Sequence, residues 1–250
     1  MPPDQQNEAL PLFYRNPVPI NPERHGGNGL SKTRTYAFAA QSNSVPVNLV
    51  EFPHLLRDYP IAFTATSPAM PVAVMGLRQD ENLLVDADGN WAPGVYVPAY
   101  VRRYPFIFME NPGGDLLTLC VDEAEGVLAA DAAEPLLVNG VASESTKAGL
   151  EFCSAYQQAL RETRAFAEAV EASGILVERR VDVTLPDNQG FALTGFRVID
   201  EAAFAALSDS TILEWRRLGW LTGIHAQLLS SFSWQRLLDA VARRLPVARG

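Results

Sequence analysis

The densest run of chemistry-bearing side chains is WAPGVYVPAYVRRYPF, residues 91–106. It holds Trp91, Tyr96, Tyr100, Arg102, Arg103 and Tyr104. Aromatic faces beside guanidinium groups suit carboxylates, peptides, sugars and flat rings. The ring quadrupole attracts cations, and the guanidinium fork matches a carboxylate. These six residues form the predicted ligand- or partner-binding set, against a competing reading of core and turn. On a strand, Arg102 and Arg103 point to opposite faces. At least one of them must then meet solvent or an acid, for which Asp86 and Asp122 are the candidates.

Other chemistries find less support. HGGNGL (25–30) has glycines but not the spacing of a phosphate-cradling loop. His25, His54 and His225 are far apart, and neither H-E-x-x-H nor C-x-x-C occurs, so no metal site is expected. No G-x-S-x-G marks a serine nucleophile. No residue is therefore assigned a catalytic role, and no cofactor is expected. Cys120 and Cys153 sit in apolar settings and read as buried thiols. His225, between apolar turns, reads as a core histidine. Trp215, Trp220 and Trp234 read as core, with an exposed partner patch beside Arg216 and Arg217 as the alternative.

Positioning these side chains falls to a chain that changes character along its length. Residues 1–33 are a Pro-rich arm, in which prolines disfavour regular helix. Short Val-, Phe- and Leu-rich runs at 34–40, 45–52, 61–66, 71–78, 82–91, 106–110 and 115–122 read as strands, with a short helical piece at 54–57. Asp88-Gly89 marks a tight turn. Leu150, Cys153, Tyr156, Leu160, Thr163, Phe166 and Val170 recur at helical spacing, predicting one amphipathic helix over 143–173. Residues 176–185 and 190–200 read as a hairpin around 186–189. Asp200 would cap the helix that follows it. Further helices are predicted over 210–230 and 233–245, the second capped by Ser233. Strands and helices are segregated, which predicts an α+β fold. Its sheet is mostly antiparallel and lies in the N-terminal half, with C-terminal helices packed on it. The domain expectation is an arm over 1–33 and one domain over 34–250.

The chain has 250 residues, 20 basic against 29 acidic, and a net charge of −9. That balance argues against a nucleic-acid partner. Hydrophobic residues make up 48 %, too many for a disordered chain, yet no apolar run is long enough to span a membrane. The first thirty residues show no secretory-signal pattern. A cytoplasmic protein is expected, with signal-independent export to the cell surface as the alternative.

The segments FYRNPVPINPERHGGNGL, VPVNLVEFPHLLRDYPIAF, GLRQDENLLVDADGNW, YVPAYVRRYPFIF, CVDE and LTGFRVIDE, in that order, resemble the bacterial SapC family. The resemblance covers nearly the whole chain, and YVPAYVRRYPF is its most distinctive part. It implies a protein associated with the cell envelope or surface layer. It also implies genomic company with TonB-dependent receptors and flavin-dependent halogenase-like enzymes. It carries no catalytic residues over to this chain. The expectation is a non-enzymatic binding or assembly protein with a protein, small-molecule or peptide partner, which could form a homo-oligomer. The alternative is a cytoplasmic enzyme or accessory protein acting on a small molecule or peptide, with a halogenase-like partner.

Overall fold

The computed structural model describes residues 10–32, 35–110, 117–184 and 190–244. In chain order these form β1 (Pro17–Pro19), α1 (Pro22–His25), β2 (Asn28–Leu30), β3 (Ser44–Pro46), α2 (Phe52–Leu55), β4 (Ile61–Thr64) and β5 (Pro71–Val74). Next come α3 (Ala99–Arg102), β6 (Phe106–Glu110), β7 (Leu117–Asp122), β8 (Leu128–Ala130), β9 (Glu134–Pro135), β10 (Leu137–Val138) and β11 (Val141–Ala142). The chain ends in α4 (Glu144–Ala172), β12 (Leu176–Thr184), β13 (Gly190–Ile199), α5 (Glu201–Ala205), α6 (Asp209–Arg217), α7 (Trp220–Leu229) and α8 (Trp234–Arg244). The fold is α+β, with antiparallel sheets mostly in the N-terminal half and helices at the C-terminus. Among the described residues, no helix is long and apolar enough to cross a membrane.

The chain divides into two compact units. Unit 1 comprises 1–34 and 103–154; unit 2 comprises 35–102 and 155–250.

In unit 1, the described part of the Pro-rich segment is built into sheets. β1 pairs antiparallel with β7, which pairs with β6. β2 lies between β8 and β9. The prolines do not prevent a helical turn: Pro22 occupies the start of α1, where a missing N–H costs nothing, and Asn21 caps it by accepting the Glu23 N–H at 2.7 Å. β2 needs a glycine, since a Cβ at Gly29 would stand 2.4 Å from the Glu134 carbonyl oxygen. Leu30, Phe106, Val121, Leu136, Leu137 and Cys153 form one buried cluster of this unit, and Tyr14, Ile107 and Cys120 another.

In unit 2, five antiparallel strands run in the order β12-β13-β4-β5-β3. Ala62, Val74, Phe196, Leu237 and Val241 join in one core, so α8 packs its apolar stripe on this sheet. Phe166 of α4 is fully buried against Phe52, Phe63 and Trp220. Polar ties fix α7 to β4. Gln227 Nε2 donates to the Ile61 carbonyl at 3.0 Å, and Ser230 Oγ accepts the Ile61 N–H at 2.9 Å.

Several local expectations change. Of the run expected as a strand over 34–40, the described residues 35–40 hold a 3₁₀ turn (Ala37–Ala39), and 45–52 is strand only as far as Pro46. The 82–91 run forms a turn closed by one Val85–Trp91 bridge. The helix expected over 210–230 is two, because Gly219 adopts φ +75 between α6 and α7. Ser233 is not an N-cap: a 3₁₀ turn (Ser230–Ser233) runs into α8, and its hydroxyl donates to the Leu56 carbonyl at 2.8 Å. His225 is exposed, edge-on to Phe204, rather than a core residue. The turn expected at 186–189 lies outside the described residues.

Candidate functional site

The six residues singled out in the sequence are shared between the two units. Trp91, Tyr96, Tyr100 and Arg102 belong to unit 2, and Arg103 and Tyr104 to unit 1. Arg102 and Arg103 are not consecutive strand residues: Arg102 ends α3 and Arg103 follows it.

Unit 2 builds its part on a buried carboxylate. Glu51 is only 3 % exposed. Its Oε2 accepts the Asn48 N–H at 2.9 Å, half of a capping box that starts the turn before α2. Its Oε1 accepts the Ala99 N–H at 2.6 Å and the Tyr96 hydroxyl at 3.2 Å. One carboxylate thus anchors both α3 and the Tyr96 ring. Asp58, also buried, accepts the Tyr96 N–H at 3.4 Å and is paired with Arg57 and Arg236. Burial pushes the Asp58 carboxyl up, but the Arg57 hydrogen bond, the Tyr96 N–H and the two guanidinium charges outweigh it. The net shift is downward. The Tyr59 hydroxyl donates to the Tyr96 carbonyl, and burial pushes its own pKa well up.

On this frame stands a half-buried Tyr96. The exposed His54 imidazole stacks on its ring at 5.3 Å and 17°. The exposed Arg102 guanidinium lies 5.3 Å from the same ring's centroid. Arg102 Nη2 donates to the Tyr96 hydroxyl at 2.8 Å and Nε to the Val97 carbonyl at 2.9 Å. Arg57 reaches the Gly94 carbonyl at 2.9 Å nearby. Burial and the Glu51 charge raise the Tyr96 hydroxyl's pKa, partly offset by Arg102, so this hydroxyl stays protonated at neutral pH. The result is a basic, aromatic face of fixed geometry on an acidic chain. Such a face suits a carboxylate and a flat group beside it. Trp91 and Tyr100 are buried behind it, edge-on to Tyr36 and Tyr156 respectively. Asp86, one candidate acid for the arginines, is occupied within its own turn, accepting the N–H groups of Asp88 and Asn90.

In unit 1, Tyr104 and Arg103 are half-buried around Tyr14. The Tyr14 and Tyr104 rings are 5.4 Å apart, and Arg103 lies 5.6 Å from the Tyr14 centroid. The Tyr104 hydroxyl donates at 2.9 Å to Asp122, which is fully buried and also accepts the Asn16 N–H at 2.6 Å. Burial, then Asp122, raises the Tyr104 pKa. Asp122, the other candidate acid, thus takes a tyrosine and backbone N–H groups. Beside it, Glu123 pairs with Arg24 and comes within 3.2 Å of the buried His25 Nε2. The Arg24 hydrogen bond is the main cause that lowers the Glu123 carboxyl. Cys153 is a buried free thiol whose pKa burial pushes up to about 11, against a smaller opposite pull from Arg103. That setting suppresses the thiolate a nucleophile needs.

Glu51, His54 and Asp58 were not singled out in the sequence. Glu51 and Asp58 carry one readable signal, an acid lodged in the apolar run VPVNLVEFPHLLRDYPIAF. A buried acid needs partners of its own. The model of one family, SapC, matches residues 20–237. No curated protein and no solved structure matches the chain.

Proposed function

The chain belongs to the SapC family, and from that premise we propose that it is a non-enzymatic binding or assembly protein of the cell envelope or surface layer. Its partner is a protein segment carrying an acidic group, held on the His54–Tyr96–Arg102 face of unit 2. The observation that carries this reading is the way that face is held. An exposed guanidinium and imidazole share one tyrosine ring, and that ring is tied to the buried Glu51 and Asp58. Side chains ordered before binding lose little entropy on contact, and Arg and Tyr dominate interface energetics.

The test is site-specific photo-cross-linking from position 53, exposed beside His54, in bacterial cells that carry the native gene, followed by mass spectrometry and cell fractionation. The reading expects a discrete polypeptide adduct in the envelope fraction, with the linked peptide rich in Asp or Glu. Cross-links confined to soluble metabolic enzymes, or none at all in folded protein, would contradict it.

A further inference from the structure

A cavity of about 300 Å³ opens in unit 2 beside β12 and β13. Phe196 and Val198, two apart on β13, share one face of the strand and line it. Trp234 of α8 completes an aromatic wall, its ring 5.5 Å from that of Phe196. Gln227, buried, also lines the cavity. Nε2 donates to Ile61 and Oε1 accepts the Ile199 N–H at 3.3 Å.

The polar rim comes from an irregularity in the ladder. Arg179 lies directly opposite Phe196, so it shares the cavity face. In a regular strand Arg180 would point the other way. The register shifts between Arg179 and Val181, with Arg180 opposing both Thr194 and Gly195, and Gly195 adopts φ +83. A bulge with glycine in the left-handed region re-aims the neighbouring side chain. Both arginines consequently line the same cavity. Arg180 is paired with Asp182 at 2.7 Å. The Arg179 side chain has no hydrogen-bond or ion-pair partner among the described residues. Glu201 also lines the cavity, at the first position of α5, where the helix end favours a negative charge.

We propose that this cavity binds a small monocarboxylate with an aromatic or other apolar body, its carboxylate on Arg179 and its body against Phe196 and Trp234. The volume sits at the lower end for small-molecule sites. Glu201 works against multiply charged anions. The site shares no residue with the His54–Tyr96–Arg102 face, so either proposal can fail alone.

The test uses phenylacetate as probe and the Trp234 indole N–H resonance of the full chain as readout, identified by its loss in Trp234→Phe. Phenylacetate shifts this resonance saturably, with half-saturation in the millimolar range expected for about ten heavy atoms. Benzylamine, of similar shape and opposite charge, leaves it in place. Arg179→Gln raises the half-saturation point ~10-fold or more, while the other three indole resonances stay at their parent positions and report an intact fold. An unmoved Trp234 resonance, an equal shift with benzylamine, or parent-like binding by Arg179→Gln would each overturn the proposal.

Discussion

Replacing Glu51 by Gln tests the frame beneath the basic aromatic face. The side chain keeps its shape but exchanges one acceptor oxygen for an amide donor. Glu51 accepts backbone N–H groups on both oxygens, from Ala99 at 2.6 Å and from Asn48 at 2.9 Å. Whichever way the new amide turns, its NH₂ meets one of these donors. One buried N–H is then left without an acceptor, at ~1–3 kcal/mol. For a chain of 250 residues, each kcal/mol corresponds to ~2–4 °C in Tm, so the transition of unit 2 falls by ~2–12 °C. Glu51→Ala orphans both donors and costs about twice as much. The assay is thermal unfolding by circular dichroism, with the exposed Glu151→Gln as control, expected within ~0.5 kcal/mol of the parent. A Glu51→Gln transition as close to the parent as the control's would refute the account of Glu51 as anchor.

Other expectations follow from the same geometry. Asp58 has a depressed folded pKa. Its stabilisation is therefore present above the ordinary carboxylate value of ~4 and is lost as pH falls through the lower folded value. Urea unfolding between pH 7 and 3 should show stability declining less steeply in Asp58→Asn than in the parent. Tyr104→Phe removes a hydroxyl that donates to the buried Asp122 and should cost ~1.5–3 kcal/mol; chemical denaturation that shows no loss would contradict that role. Cys153, with its thiol raised to about 11 by burial, should react with a disulfide reagent at pH 8 only after unfolding. Rapid modification of the native protein, followed by absorbance, would contradict its burial.

What the sequence made legible was what is periodic and local. The 29-residue helix α4 carries a continuous apolar stripe, and it appears where the spacing predicts it. The hairpin β12–β13 and strands β4 to β7 follow from β-rich runs bounded by turn residues. Asp200 caps α5 as read, accepting the Ala203 N–H at 2.8 Å. The misread pieces are short apolar runs, where period alone cannot separate strand from turn. Residues 82–91 became a turn because Asp86 gathers its N–H groups. The candidate site was less legible for a tertiary reason. YVPAYVRRYPF is one run in sequence, but the boundary between units falls between Arg102 and Arg103. Tyr96 and Arg102 meet His54, whereas Arg103 and Tyr104 meet Tyr14 and Asp122. No spacing along the chain reports those partners, because each lies at least 18 residues away.

The most direct test of the central claim measures Arg102→Ala twice, by thermal unfolding and by cross-linking yield from position 53. Arg102 is exposed, so its loss should change Tm by no more than ~2 °C. The same substitution should abolish the envelope adduct, and Arg102→Lys should restore it only in part, because an ammonium lacks the planar fork. An adduct that persists in Arg102→Ala, or one that disappears only in step with a large fall in Tm, would contradict the claim that this face binds a partner.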